Sequence, residues 1–283
     1  GTISLGDATL ADGATLTAGA GAANQIDLDA ITGTAGSTAS NLTINSSGAV
    51  TVAEAVGTDI GTVTVTQSGG TTFTGTLAAG TVAITDTADS QAITFTDSVT
   101  IGTGLTTANG GSDNYNVVLN GASNSIAGAT TFAQGGTLTL GDGTGDSTDF
   151  AGGLVATAPS GISAQGTVKA DGGSGVLTLG DSDTGVTVAA NLLVGGTSTG
   201  TISLGDATLV DGATLTVGAG AANQIDLDAI TGTAGSTASN LTINSTGVVT
   251  VAEAVGTDIG TVTVTQSGGT TFSSTLAAAT VAI

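Results

Sequence analysis

Carboxylates are the side chains of this sequence that are best suited to chemistry. The densest group is Asp142, Asp146 and Asp149, within the segment GDGTGDSTDF. Two looser pairs of aspartates follow it: Asp86 with Asp89, and Asp181 with Asp183. Hard divalent cations bind carboxylate and carbonyl oxygens, and aspartate-rich turns supply both. Asp142, Asp146 and Asp149 are therefore the candidate metal ligands, with calcium as the candidate cofactor. The alternative is that these aspartates are solvated turn residues that keep the protein soluble.

A second segment is a weaker candidate for calcium binding. The residues GGSDNYNVV at 110–118 are faintly similar to the nonapeptide repeat that binds calcium in some β-helices, but the third glycine is missing and the segment does not iterate. No segment matches an EF-hand loop. The three-aspartate turn therefore stays the leading candidate.

The composition excludes most other chemistry. The chain has no Cys and no His, so thiol or imidazole catalysis and the usual zinc and haem sites are excluded. Its net charge is −21 and Lys169 is its one cationic side chain, which argues against binding of nucleic acid or an anionic membrane. A glycosidase or lyase would need aromatic platforms or cations around paired carboxylates, and both are scarce. We therefore do not expect this protein to be an enzyme.

A long repeat organises the chain. Residues 1–84 return as residues 200–283, with seven differences that exchange one small residue for another. The differences are Ala11/Val210, Ala18/Val217, Ser47/Thr246, Ala49/Val248, Thr74/Ser273, Gly75/Ser274 and Gly80/Ala279. We interpret residues 1–199 as one long repeat unit of a continuous solenoid and residues 200–283 as the start of the next, near-identical unit.

A shorter repeat of roughly 20 residues lies within the long one. Apolar and small polar residues alternate in runs such as Leu42-Thr43-Ile44 and Val63-Thr64-Val65, which is typical of strands, and Gly, Asn, Asp and Ser separate the runs. One corner, Leu-Gly-Asp, recurs at 5–7, 140–142, 179–181 and 204–206. Large aromatic core residues are few, which favours a narrow parallel β-solenoid over a sandwich or barrel. The alternation predicts that eight side chains point inward: Leu5, Ile44, Val63, Val65, Leu138, Leu140, Leu177 and Leu179.

Several passages carry a family resemblance. NLTINSSGAVTVAEAVG (41–57), TVTVTQSGGTTFTGTLAAG (62–80), AGATTFAQGGTLTLGDG (127–143) and GVTVAANLLVGG (185–196) resemble the β-strand-repeat regions of giant bacterial surface proteins of the filamentous haemagglutinin-like adhesin group. The resemblance spans nearly the whole chain and lies in composition and rhythm. It implies a right-handed parallel β-helix, secretion to the cell surface or the extracellular space, and a structural or adhesive role. It implies no catalytic residues.

Together these features predict an all-β, right-handed parallel β-helix with a structural function. The leading hypothesis is an extracellular filament protein whose repeats build a long, rigid and durable surface fibre. The alternative is the stalk of a giant bacterial adhesin whose binding tip lies outside this sequence. Since neither end of the sequence resembles a cap, we expect further copies of the repeat to lie end to end, by covalent continuation or by stacking. Divalent cations are the expected agents of any lateral association between the acidic fibres, and insertion into a membrane is not expected.

Overall fold

The computed structural model describes residues 1–109 and 114–283, and in these ranges it contains 32 strands and no helix. The strands stack in parallel as a β-solenoid with about 23 residues per turn. This confirms the predicted all-β parallel solenoid, with turns slightly longer than expected. The right hand of the helix stays a prediction. The chain divides into two compact units, Gly1–Leu138 and Thr139–Ile283, and the division falls inside one strand.

The strands of the first unit are short and follow one another closely. They are β1 (Thr2–Leu5), β2 (Ala8–Leu10), β3 (Thr15–Ala18), β4 (Gln25–Leu28), β5 (Ile31–Gly33), β6 (Ser40–Asn45), β7 (Val50–Val52), β8 (Val56–Gly57), β9 (Ile60–Gln67), β10 (Thr71–Phe73), β11 (Leu77–Ile84), β12 (Ala92–Phe95), β13 (Val99–Thr107), β14 (Asn116–Leu119), β15 (Ser123–Ile126), β16 (Thr130–Thr131) and β17 (Thr137–Leu140), which contains the division.

The second unit contains the remaining strands. They are β18 (Ser147–Phe150), β19 (Leu154–Ala156), β20 (Gly161–Lys169), β21 (Leu177–Leu179), β22 (Val186–Gly195), β23 (Ile202–Leu204), β24 (Ala207–Leu209), β25 (Thr214–Val217), β26 (Ile225–Leu227), β27 (Ile230–Gly232), β28 (Ser239–Asn244), β29 (Val249–Val251), β30 (Val255–Gln266), β31 (Thr270–Phe272) and β32 (Leu276–Ala282).

Three ladders of parallel strands form the first unit. One ladder begins with β1 on β4 and β7, another with β2 on β5 and β8, and the third with β3 on β6 and β9. Most strands alternate inward apolar side chains with outward polar or small ones, and the parallel pairing keeps successive strands in the same phase, so that like residues stack. The inward column of the first ladder is Leu5, Leu28, Val52, Phe73 and Phe95. Phe73 and Phe95 stack with ring centroids 5.1 Å apart.

The second unit repeats these three ladders with the same register as the first. Ala8 pairs with Ile31 in the first copy of the long repeat, and Ala207 pairs with Ile230 in the second. The two pairs are the same residues displaced by the length of the long repeat. The two copies of the repeat therefore fold into the same turns.

The predicted inward side chains are buried with one exception. Seven of the eight are 2% exposed or less, and only Leu5 is exposed, at 37%. The cause is the stacking of the first turn. Leu204, the residue equivalent to Leu5, lies between Leu179 and Leu227 and is 2% exposed, whereas among the described residues Leu5 stacks on Leu28 alone. The inward direction holds at Leu5, and the difference lies in what covers it.

Glycines close the Leu-Gly-Asp corners in two ways. Gly141 and Gly180 have φ values of 79° and 70°, a backbone conformation that glycine adopts without strain. Gly205 does not have a positive φ, but a Cβ there would lie 2.4 Å from the backbone nitrogen of Asp181. At these three corners glycine is needed either for its φ or for the close approach of two turns, whereas a Cβ at Gly6, in the first corner, would lie 3.9 Å from its nearest neighbour.

Buried polar side chains tie successive corners together. The Asn223 amide nitrogen donates to the carbonyl oxygens of Ser198 (2.8 Å) and Gly200 (2.7 Å) on the preceding turn. The Ser245 hydroxyl lies 2.6 Å from the carbonyl oxygen of Asn223 and 3.0 Å from that of Ala221. Because buried polar groups are costly without partners, these bonds fix the stacking of one corner on the next.

Candidate functional site

The candidate calcium turn lies between β17 and β18. Asp146 Oδ2 accepts hydrogen bonds from the backbone N–H groups of Asp142 (2.9 Å) and Gly143 (2.7 Å). The side chain of Asp142 is exposed, and that of Asp146 is half-buried. Asp146 therefore closes its own turn, a role that aspartate often takes in tight turns.

Asp149 faces a different set of partners. It lies on β18 directly beside Lys169 of β20, and its Oδ1 accepts a hydrogen bond from the backbone N–H of Asp171 (3.0 Å). Lys169 Nζ in turn pairs with Asp171 Oδ2 at 2.5 Å. Asp149 is thus part of an ion-pair network that runs away from the Asp142 turn.

Asp171 is the centre of that network. Besides Lys169, it accepts hydrogen bonds from the backbone N–H (2.9 Å) and the hydroxyl (3.2 Å) of Thr197, both at Oδ1. The hydrogen bond from Lys169 is the main cause that lowers the pKa of the Asp171 carboxyl, and the same bond raises the pKa of Lys169. The pair is about one-third exposed, so its contribution to stability is small, on the order of 1 kcal/mol or less.

Asp142 and Asp146 therefore share one turn, while Asp149 has separate partners. In residues 1–109 and 114–283, no group of three or more acidic side chains is placed to hold a metal ion. Calcium at Asp142, Asp146 and Asp149 stays a prediction, which calorimetry in millimolar calcium or in chelator tests. A higher unfolding temperature in calcium would support it, since a ligand that binds only the native state stabilises that state. An unchanged midpoint would contradict it.

The two looser pairs of aspartates also lie at turns. Asp181 Oδ1 accepts from the backbone N–H groups of Asp183 (2.9 Å) and Thr184 (2.8 Å), and Asp89 Oδ1 accepts from that of Asn114 (2.7 Å). Of the segment 110–118, residues 110–113 lie outside the described residues. The described bonds of these aspartates are those of corner residues.

A ladder of carboxylates was not expected from the sequence. Leu179, Leu204 and Leu227 stack on three successive turns, and each is followed within two residues by an aspartate. These aspartates, Asp181, Asp206 and Asp228, form what we call the aspartate ladder. Burial is the main cause that raises the pKa of Asp228, and the charges of Asp206, Asp181 and Asp226 add to it. The recurring Leu-Gly-Asp corner was the signal for two members, but Asp228 follows its leucine directly and breaks the motif.

Two grooves of comparable volume differ in character. An open groove of about 370 Å³ on the second unit has a polar lining of threonines, backbone and Asn191, whose Oδ1 accepts from the backbone N–H of Thr214 (2.9 Å). The other, of about 410 Å³, lies on the first unit, and we call it the first-turn groove. Its apolar lining consists of Ile3, Leu5, Leu16, Ala18, Ile26 and Leu28.

None of the described residues forms a helix that is long and apolar enough to cross a membrane. Comparison of the chain with protein-family models, with curated proteins and with solved structures found no match.

Proposed function

We propose that this protein is a structural component of an extracellular filament, in which tandem copies of the repeat form a long, rigid fibre at the cell surface. In this proposal the chain has no enzymatic activity. Its partners are further copies of itself, joined end to end by covalent continuation or by stacking.

One observation carries the proposal: the nearly identical sequences 1–84 and 200–283 fold into the same turns with the same register. A turn that stacks on its neighbours through parallel ladders can be repeated without limit, because each repeat contacts only the turns before and after it. Repetition of this kind adds length and stiffness, which are the properties that a fibre needs.

The chemistry of the chain fits exposure outside a cell. It has no Cys or Met, the residues with readily oxidised sulfur, and Lys169 is the one residue that trypsin recognises. Lys169 lies in β20, which pairs with β18 and β22, so its backbone is part of the sheet. Such a chain resists oxidation and tryptic digestion.

Native material from the producing cells tests the proposal. Electron microscopy should show thin filaments on the surface of intact cells, labelled by an antibody against the repeat. Denaturing electrophoresis then separates the two ways of joining copies: covalent continuation gives a very large polypeptide that carries many copies of the repeat, and stacking gives a small polypeptide. A soluble monomer and unlabelled cells would contradict the proposal.

The same native material distinguishes an adhesin stalk from a filament. A single long polypeptide that carries a distinct terminal domain, with adhesion lost when that domain is removed, would favour the stalk over the filament. Filaments composed of this repeat alone would favour the filament.

A further inference from the structure

The first-turn groove exposes side chains that the long repeat buries elsewhere. Ile3 and Leu5 are 43% and 37% exposed, and with Leu16 they border an apolar groove of about 410 Å³. β1, β2 and β3 each pair with a strand on one side, namely β4, β5 and β6. The other edge of each strand keeps its backbone N–H and C=O groups available to a further strand.

The second copy of the repeat shows what covers the same side chains. Ile202, Leu204 and Leu215 correspond to Ile3, Leu5 and Leu16, and all three are 2% exposed or less. Their cover is the turn formed by β21 and the strand β22. Its contacts in register are Leu177 on Ile202, Leu179 on Leu204, Leu192 on Leu215 and Val194 on Val217.

Backbone hydrogen bonds accompany this cover. The N–H of Gly205 donates to the carbonyl oxygen of Leu179 (2.9 Å), and that of Gly218 donates to the carbonyl oxygen of Val194 (2.7 Å). The equivalent donors in the first copy are Gly6 and Gly19. The first-turn groove thus presents both the apolar surface and the hydrogen-bonding groups that β21 and β22 recognise in the second copy.

We propose that the first-turn groove is a docking site for a solenoid turn with the sequence of residues 177–194, supplied by another copy of the repeat. This inference rests on the proposed function and names the partner surface of that assembly. The seven differences between the two copies do not obstruct it. Ala11 and Ala18 replace Val210 and Val217 on this face, so the first copy offers more room to the incoming turn.

The turns of the solenoid differ in the span between their inward residues. The stretch from Leu179 to Val194 in the covering turn is two residues longer than the stretch from Val52 to Val65, which hold the corresponding places in β7 and β9. Stacked turns of different span nevertheless keep their register, since the shorter stretch from Leu5 to Ala18 pairs with the longer stretch from Leu28 to Ile44. The span alone therefore does not select the covering turn. A slip of a single residue along either strand would turn its apolar side chains outward.

A side-chain hydrogen bond favours residues 177–194 as the covering turn. Asn191 Oδ1 in the covering turn accepts from the backbone N–H of Thr214, and Thr15 is the equivalent residue in the first copy. The place of Asn191 in β22 is taken by Thr62 in β9, whose shorter side chain carries no amide oxygen. The turn at residues 177–194 therefore brings an acceptor for Thr15 that the other turn lacks.

An extended chain tests the proposal. Residues 139–199 are placed before Gly1 of the complete chain, which reproduces the natural junction between residues 199 and 200. Amide hydrogen exchange should slow at residues 2–5 and 15–18 to the rates of residues 202–204 and 214–217. The matched control extension is residues 10–70, which has equal length but ends in the turn that carries Thr62 in place of Asn191, and it should slow exchange at residues 15–18 less than residues 139–199 do.

A disulfide provides a second readout of register. Thr178 is the partner of Ser203 on the outward side of the ladder, so Thr178→Cys in the extension should cross-link with Ser4→Cys in the chain. Since the chain has no cysteine of its own, the bond is unambiguous. Thr178→Cys with Thr2→Cys, two residues out of register, is the control and should remain reduced.

The outcomes decide the proposal in both directions. Slower exchange at residues 15–18 with residues 139–199 than with residues 10–70, together with the in-register disulfide, supports it. Unchanged exchange without the disulfide, or equal protection by both extensions, would overturn it. Neither of these results bears on whether native material forms filaments, so the proposed function stands or falls by electron microscopy and electrophoresis independently.

Discussion

At the scale of single residues, the direction of a side chain decides the cost of a substitution. Val65 is fully buried between Ile44 and Ile84, while the neighbouring Thr64 points outward between Thr43 and Ala83. We expect Val65→Asp to lower the free energy of unfolding by about 3 kcal/mol or more, because it buries an unpaired charge. Thr64→Asp should change it by about 0.5 kcal/mol or less. Thermal unfolding measures both, and equal effects would contradict the inward and outward assignment.

Tyr115 links stability to alkaline pH. Its ring is fully buried, its hydroxyl donates to the carbonyl oxygen of Ala108 (2.6 Å), and burial raises its pKa to about 12. In the unfolded chain the tyrosine ionises near pH 10, so the unfolded state loses its proton first. Stability contributed by the neutral phenol should therefore fall as the pH rises from about 10 to 12.

The variant Tyr115→Phe isolates this effect. At pH 7 it should be less stable by about 1 kcal/mol, because the Ala108 carbonyl oxygen loses its donor. Between pH 10 and 12 its unfolding temperature should fall less steeply than that of the natural protein. Parallel curves for the two proteins over this range would show that Tyr115 does not control the alkaline loss.

At the scale of elements, the aspartate ladder places like charges on successive turns of one corner. The raised pKa of Asp228 means that the native state holds this proton more tightly than the unfolded state does. The ionised carboxylate therefore destabilises the fold at neutral pH, and that cost disappears as the pH falls through the native pKa. The corner thus carries the cost of burying the Asp228 carboxylate, to which the like charges of the ladder add.

Asp228→Asn should accordingly raise the unfolding temperature at pH 7, and its advantage should shrink as the pH approaches 4. The control is Asp29→Asn, the same position in the first copy, where the side chain is exposed. Differential scanning calorimetry at several pH values makes the comparison. A lower unfolding temperature for Asp228→Asn at pH 7 would contradict a destabilising effect of the ionised Asp228 carboxylate.

At the scale of the whole molecule, charge governs how solenoids meet sideways. A net charge of −21 repels neighbouring copies, and salt screens this repulsion over about 10 Å at 0.1 M. We expect magnesium chloride to increase light scattering more than sodium chloride at the same ionic strength, because divalent ions can bridge carboxylates of two copies. A chelator should reverse the increase, and equal scattering in the two salts would exclude such bridging.

The alternation of apolar and polar residues predicted the strands and their inward faces, because this pattern involves only residues that are neighbours along the chain. Val63, Val65, Leu177 and Leu179 lie inside as the period of two requires. The network at Asp171 could not be predicted in the same way, since Asp149 and Thr197 lie 22 and 26 residues from it and the corners between them differ in length. Contacts across turns depend on which residues of successive turns lie side by side. This register depends on the lengths of the corners, and the alternation of residues within a strand does not determine it.

The uneven step between stacked residues has a consequence for how such a protein diverges. Val50 stacks on Thr71 and Gly166 on Leu192, and although the second step takes a longer stretch of chain, the inward columns remain continuous through both. The extra residues are taken up at corners and bulges. Lineages of this protein can therefore gain or lose residues at corners while selection preserves the length and register of the strands. Length differences between related copies would then mark the corners, and strands would be recognisable as the segments in which no length difference is tolerated.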